Sequence, residues 1–112
     1  MLAEDRVRLH HMIEAAESAV QFIAGRQRTD LDADRMLLFA LVRAIEILGE
    51  AASKISEETR ATHTGMPWRA IIGMRNRLMH AYFEINTASV WQTVTQEIPV
   101  LLSQVRALAT DE

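Results

Sequence analysis

Apolar residues recur every three or four positions along most of this chain, the spacing that places them on one face of an α-helix. No segment shows the strict alternation of apolar and polar residues that is typical of a half-buried strand. One stripe ends near Gly25, a second spans about 33–58, and the last runs to about Leu108. The stripes comprise Leu2, Leu9, Ile13, Ala16, Val20 and Ile23; Leu37, Leu41, Ile45, Leu48, Ala52 and Ile55; and Val90, Val94, Ile98, Leu101, Val105 and Leu108. The pattern predicts an all-α fold of four to five helices.

Short polar segments separate the predicted helices, at residues 26–32, 62–67 and 82–86. Pro67 suits the first turn of a third helix, where its missing N–H needs no partner, and we expect that helix to run to about His80. Asn86 or Thr87 is placed to cap the last helix, in which Pro99 predicts a kink. Because the connections are short, we expect an antiparallel helical bundle.

The size of the chain limits its organisation. Its 112 residues, 49% of them apolar, suffice for one packed core but not for two, so we expect a single domain over residues 1–112. The longest uninterrupted apolar run, residues 36–42, is much shorter than a membrane span, and the N-terminus lacks the pattern of a signal peptide. We therefore expect no membrane association.

The residue types limit the available chemistry. There is no cysteine, which excludes disulfides and zinc–thiolate sites and is compatible with a reducing cytoplasm, where we expect the protein to act. His10, His11 and His63 lack the spacing of metal ligands, and Walker, Rossmann and nucleophile-elbow motifs are missing. We expect neither a metal nor another cofactor.

Charge is distributed unevenly. The net charge is -3, yet residues 59–83 contain no acid and four arginines: Arg60, Arg69, Arg75 and Arg77. A small cationic patch on an acidic protein suits a local phosphate site. The alternative is that these arginines are an ordinary solvated stretch.

Within this stretch, Arg75, His80 and Tyr82 form a pattern with chemical meaning. The arginine guanidinium is permanently charged and its forked donors fit phosphate oxygens, while a histidine can move a proton near neutral pH. Together they are a minimal set for cutting a phosphodiester without metal. The tyrosine adds a hydroxyl that can be modified.

A regular third helix would put Arg75 in the middle of its apolar face. An unpaired buried guanidinium is prohibitively costly, so Arg75 should pair with an acid such as Glu46 or Glu50, border a cleft, or face a second subunit. For the two glutamates, surface pairing with Arg43 and Lys54 is the alternative.

Arg75 and His80 do not converge on an ideal helix, since at 100° per residue they lie about 140° apart. Either the helix loosens before His80, or the arginine side chain reaches around it, or a two-fold dimer brings the residues together.

Three further residues have structural interpretations. Gly49 lies inside a predicted helix, where glycine is unfavourable, so we expect a close helix crossing there. Trp68 and Trp91 are expected to anchor the core or an interface, with base stacking as the alternative.

The order of several short motifs resembles the HepT-like family of HEPN domains over essentially the whole chain. The motifs are Ile47-Leu48-Gly49-Glu50-Ala51-Ala52, Pro67-Trp68, Gly73-Met74-Arg75-Asn76-Arg77-Leu78-Met79-His80-Ala81-Tyr82, Val90-Trp91 and Ile98-Pro99. The resemblance implies a homodimeric, HEPN-like helical ribonuclease that is the toxin of a type VII-like toxin–antitoxin pair. It also implies a minimal nucleotidyltransferase as the partner, which silences the toxin by transferring AMP to a tyrosine. Arg75 and His80 match the nuclease pair, and Tyr82 matches the AMPylated position.

The expected reaction is attack by a ribose 2'-hydroxyl on the adjacent phosphate of RNA, giving a 2',3'-cyclic phosphate and a free 5'-hydroxyl. His80 would transfer protons and Arg75 would stabilise the transition-state charge. Asn76 could orient His80 or donate to a phosphate, and Arg77 would position the RNA backbone. The alternative is a non-catalytic helical module that binds a nucleotide or docks a nucleotidyltransferase, with Arg75 as an ion-pair or phosphate anchor.

Overall fold

The computed structural model describes residues 1–81 and 84–110, except for the side chains of residues 80 and 81. This part of the chain is predominantly helical, as expected. Its α-helices are α1 (Ala3–Phe22), α2 (Asp30–Ala33), α3 (Arg35–Ser53), α4 (Glu57–Thr62), α5 (Trp68–Ile72), α6 (Thr87–Gln92) and α7 (Ile98–Thr110). The first long helix packs mainly against α3 and α7, and α5 packs on α3. No helix in the described ranges has both the length and the apolar content needed to span a membrane.

The core consists of the predicted stripes, with one exception. Every predicted apolar position of the second and last stripes is buried. In α1 the buried face includes Leu9, Met12, Ala16 and Ala19, whereas Leu2, which precedes the helix, is 53% exposed. The inclusion of Leu2 in the first stripe is therefore wrong.

The second predicted helix is interrupted. The helix α3 begins after Asp34, whose side chain accepts a hydrogen bond from the Leu37 N–H, and it ends at Ser53. A new helix, α4, follows, with Ser56 as its N-cap. The prediction of one helix over 33–58 is thus wrong at its C-terminal end, because Ser56 bonds to the distant Asp5 instead of continuing the helix. The predicted loop 26–32 likewise contains the start of the short helix α2.

The third predicted helix is also much shorter than expected. Its α-helical part, α5, stops at Ile72; a 3-10 segment, Met74–Leu78, follows Gly73. The chain then extends into a strand, β1 (Met79–Ala81), which pairs antiparallel with β2 (Glu84–Ile85). A three-residue strand and a two-residue strand are too short for a period-2 pattern to be visible in the sequence. Two residues of the predicted 82–86 turn, Tyr82 and Phe83, lie outside the described residues.

The last helix begins as predicted but changes its winding. The Asn86 side chain caps α6 by accepting from the Ser89 N–H at 3.1 Å. A π-helical segment, Thr93–Glu97, joins α6 to α7 just before Pro99. In a regular α-helix, proline leaves one carbonyl without its N–H donor and its ring clashes with the carbonyl four residues earlier. The wider π-helical turn before Pro99 avoids this clash and does not need the missing donor.

Candidate active site

A cleft of about 310 Å³ lies between α3 and the segment that follows α5. Its lining includes Arg43, Glu46, Gly49, Glu50, Ile72, Arg75 and Asn76. Gly49 explains how the two elements come so close. A Cβ atom at this position would lie 3.0 Å from the carbonyl oxygen of Ile71 and 3.3 Å from that of Ile72. The predicted close crossing at Gly49 is confirmed, and it forms one wall of the cleft.

Arg75 lies on the surface at the edge of this cleft, and its side chain is 45% exposed. Met74 and Leu78 take the buried positions of the 3-10 segment instead. The expectation that Arg75 sits in the middle of a buried face is therefore wrong, because it assumed a regular α-helix through a segment that winds differently. Of the arrangements considered, an acid partner and a cleft edge are both present.

The acid partner of Arg75 is Glu46. The arginine Nε donates to Glu46 Oε2, while Arg43 Nη1 lies 3.7 Å from Glu46 Oε1, so one carboxylate holds two guanidinium groups. No terminal Nη atom of Arg75 bonds to a residue in the described ranges. The pair fixes the guanidinium through one side and leaves its terminal N–H donors for a phosphate.

Glu50, the other glutamate considered as a partner of Arg75, behaves differently. Glu50 lines the same cleft but forms no ion pair with Arg75, Lys54 or any other described residue. The predicted pairing thus holds for Glu46, with both Arg43 and Arg75, and is wrong for Glu50.

Arg77 is held on the opposite side of the 3-10 segment. Its Nη2 lies 3.3 Å from Glu97 Oε1, and Glu97 Oε2 accepts from Thr93 Oγ1 at 3.3 Å. Both Glu97 and Thr93 belong to the π-helical segment. Acids from two different helices therefore orient Arg75 and Arg77, with Asn76 exposed between them.

The other two residues of the motif are described only in part. The backbone of His80 belongs to β1, but its side chain lies outside the described residues, as does the whole of Tyr82. The 3-10 segment ends at Leu78, and Met79 is extended with ψ 134°. The chain therefore leaves the helical path before His80, which is the first of the three ways considered for Arg75 and His80 to converge.

The sequence did not indicate a buried carboxylate that organises the fold near α4. Asp5 is 2% exposed and accepts from the Ser56 N–H at 2.9 Å, Ser56 Oγ at 2.7 Å and Thr59 Oγ1 at 2.6 Å. Burial by itself would raise the pKa of Asp5, but the hydrogen bonds from Thr59 and Ser56 outweigh it, and the pKa lies below its ordinary value. The burial of Asp5 could have been predicted from its position, because it lies four residues before Leu9 and so shares the buried face of α1.

Replacing Asp5 by asparagine should lower the free energy of unfolding at neutral pH by about 2–3 kcal/mol, because an amide NH₂ would face the donors that the carboxylate now accepts. The lowered pKa means that this contribution is complete above the unfolded-state value and is lost as the pH falls through the folded-state value. Urea unfolding at pH 7 and about pH 3 should therefore show the difference between wild type and Asp5→Asn shrinking in acid.

The exposed neighbour Glu4 provides the control. Glu4→Gln should change the unfolding free energy by less than about 0.5 kcal/mol at either pH. Equal effects of Asp5→Asn and Glu4→Gln would mean that the buried hydrogen bonds do not stabilise the fold.

Potential metal ligands are dispersed in this structure. Among the side chains it describes, no group of three or more histidine and carboxylate residues is close enough to hold a metal ion. The polar side chains that line the cleft belong to arginine, asparagine, serine and glutamate residues.

Comparison with known proteins agrees with the motif. A sequence model of the family described as ribonuclease HepT-like matches residues 12–108. A protein of Caldanaerobacter subterraneus subsp. tengcongensis, provisionally named an RNase, is 36% identical over 104 residues that cover 93% of this chain and 93% of that protein. A Thermococcus cleftensis protein named as a probable ribonuclease HepT is 37% identical over 93 residues, which cover 83% of this chain and 84% of that protein. No solved structure matches the chain at a significant level.

The matched region contains the cleft, both arginine–glutamate pairs and the segment from Arg75 to Tyr82. The match begins within α1 at residue 12, spans α2 to α6, and ends at residue 108, two residues before the end of α7. The chain belongs to the HepT-like ribonuclease family.

Proposed function

We propose that this protein is a metal-independent endoribonuclease that acts as a single domain over residues 1–112, with Arg75 and His80 as its catalytic residues. The observation that supports this most directly is the state of Arg75, which Glu46 holds at a cleft edge with its terminal donors unpaired among the described residues. These exposed donors can therefore bind a phosphate without breaking a contact within the described part of the fold. The names of the relatives point to the same chemistry.

The proposed reaction is an in-line transesterification. The ribose 2'-oxygen forms a bond to phosphorus as the bond from phosphorus to the 5'-oxygen breaks, leaving a 2',3'-cyclic phosphate on one product and a 5'-hydroxyl on the other. One histidine accepts the proton of the 2'-hydroxyl, and a protonated histidine gives one to the departing 5'-oxygen. Arg75 binds the non-bridging oxygens as negative charge develops. Asn76 donates to a phosphate oxygen or orients His80, and Arg77 holds the RNA backbone.

Each chain supplies one histidine in this motif, whereas the reaction uses an acid and a base. We therefore infer that two copies of the chain form a homodimer in which the two His80 residues share a cleft. In this proposal the protein is the toxin of a type VII-like system, and a minimal nucleotidyltransferase neutralises it by AMPylation of Tyr82.

One observation favours a second candidate function. The Arg75 Nε is already occupied by Glu46, as it would be in a non-catalytic module that uses Arg75 as an ion-pair anchor while docking a nucleotidyltransferase. Turnover distinguishes the two candidates, because a docking module would bind its partner without cutting RNA.

The purified protein should cleave single-stranded RNA in the presence of EDTA. We expect products that end in 2',3'-cyclic phosphate and begin with a 5'-hydroxyl, which mass spectrometry of a short oligonucleotide would identify. A substrate with 2'-deoxyribose at the cleaved position should resist cleavage, since it lacks the attacking hydroxyl. Cleavage of that substrate, or 5'-phosphate products, would contradict the mechanism.

A further inference from the structure

A second cleft, of about 570 Å³, lies between α4 and α5. It is lined by Glu57, Arg60, Ala61, Trp68, Arg69 and Ile72. None of these residues belongs to the Arg75–His80 motif. Two of them are the remaining arginines of the acid-free stretch over residues 59–83.

The two arginines of this cleft differ from the arginines of the motif in their ion pairing. Arg60 and Arg69 form no ion pair with any residue in the described ranges, whereas Arg75 and Arg77 each pair with a glutamate. The Nε atom of Arg60 is buried and has no hydrogen-bond acceptor among the described residues. This atom is closed to solvent, so a ligand oxygen in the cleft would contact the terminal Nη donors of Arg60 instead.

The floor of the cleft is apolar. The indole of Trp68 is 8% exposed and its Nε1 donates to the His63 carbonyl at 3.0 Å, so this ring is fixed in place. Ile72 is half-buried beside it. The one acid in the lining, Glu57, is exposed and does not pair with Arg60. Two guanidinium groups over an apolar floor suit a nucleotide, whose phosphate needs donors and whose base and sugar present apolar faces.

The second cleft adjoins the candidate active site. Ile72 lines both clefts, and the end of α5, Gly73 and the start of the 3-10 segment connect Arg69 to Arg75. The backbone between the two arginines rises by four α-helical residues and two 3-10 residues, which places them roughly 10 Å apart along the helix axis. A single strand can therefore lie across Ile72 and contact both clefts.

We propose that the α4–α5 cleft binds a nucleotide of the RNA strand next to the scissile phosphate, with Arg60 and Arg69 on its phosphate. This inference rests on the proposed function for the identity of the strand, but its test does not require turnover. It assigns Arg60 and Arg69 to substrate binding, outside the catalytic motif.

Binding is measured with a short fluorescent RNA and the His80→Ala protein, in which the strand stays intact. Adding Arg69→Ala, or Arg60→Met, which keeps an apolar stem, should weaken binding about tenfold each. The double variant should also reduce the magnitude of the slope of log K against log salt by about 0.7, the value for one phosphate of a single strand, and each single variant should reduce it by less. The matched control is Arg106→Ala, because Arg106 pairs with Glu17 on a different pair of helices. It should change neither quantity.

A steric variant gives an independent test. Ala61 is exposed in the cleft wall, so a tryptophan at this position should fill the cleft without a change in charge. Ala61→Trp should therefore weaken RNA binding, although it removes no cation that contacts a phosphate. In the otherwise unaltered protein, Arg69→Ala should raise KM for RNA more than it lowers kcat.

The outcomes separate the two proposals. RNA binding that depends on Arg60 and Arg69 in a protein that never cuts RNA would support the cleft assignment and reject the nuclease function. Cleavage with normal KM in the Arg69→Ala and Ala61→Trp proteins would reject the assignment and leave the function intact. The assignment would also be overturned if the His80→Ala protein did not bind RNA. It would likewise be overturned if adding Arg69→Ala weakened the binding of free AMP but left RNA binding undiminished.

Discussion

His80→Ala should lower the rate of RNA cleavage by about 10³-fold or more, within the range that general acid–base catalysis contributes, because the 2'-oxygen and the leaving 5'-oxygen both lose their proton carrier. Cleavage of a defined oligonucleotide in EDTA measures this, with thermal unfolding to check that the variant is folded. Equal rates for wild type and His80→Ala would remove histidine from the mechanism.

Arg75→Ala should lower kcat by about 10²–10³-fold, the typical cost of removing a donor to a developing oxyanion. Arg75→Lys keeps the charge but loses the planar fork and the Nε bond to Glu46, so we expect an intermediate rate. An Arg75 buried against an acid would also make Arg75→Ala destabilising, because the acid would be left unpaired. Glu46 is 28% exposed and keeps Arg43 within 3.7 Å, so the change in unfolding free energy should stay below about 1 kcal/mol.

Glu46 acts in this scheme as a positioning residue for Arg75. Glu46→Gln should reduce kcat in the wild-type background, since the amide oxygen accepts from the Arg75 Nε without the charge that now holds the guanidinium. In the Arg75→Ala background the same substitution should have little further effect, because nothing remains to be positioned. Additive losses in the two backgrounds would mean that Glu46 acts independently of Arg75. Arg77→Ala serves as the neighbouring control and should mainly raise KM.

The helices that could be predicted from the sequence are those whose packing follows from local periodicity. All the predicted positions of α3 and α7 are buried because a 3.6-residue stripe needs only one apolar neighbour to cover it. The break after Ser53 was not predictable in this way. It depends on hydrogen bonds between Asp5 and Ser56, which are 51 positions apart and leave no periodic signal.

The same distinction holds in the site. Gly49 was correctly assigned to a close crossing, since the cost of glycine within a helix is a local property. The burial of Arg75 was predicted wrongly, because a helical wheel continues the α-helix beyond Gly73, where the chain changes to 3-10 winding and then pairs as a strand. The Arg77–Glu97 pair, separated by 20 positions, has no sequence signal of its own.

Co-expression with the cognate minimal nucleotidyltransferase and ATP should add one or more AMP units to Tyr82 and suppress cleavage. Tyr82 follows β1 directly and stands seven positions after Arg75, whose terminal donors are unpaired among the described residues. A phosphodiester on the tyrosine would bring negative charge and a nucleoside to this region. Arg75 and Arg77 would then bind the attached phosphate in place of the substrate, an electrostatic and steric switch.

Intact-protein mass spectrometry and cleavage assays on the same samples measure the two effects together. Tyr82→Phe should gain no mass on co-expression and should keep its nuclease activity, because the acceptor hydroxyl is missing. Arg77→Ala should still be modified, yet be inhibited less completely, since one of the two cations that retain the attached phosphate is lost. An unmodified chain that is fully inhibited in a stable complex with the nucleotidyltransferase would instead establish inhibition by masking, and AMPylation of Tyr82 would be rejected as the control mechanism.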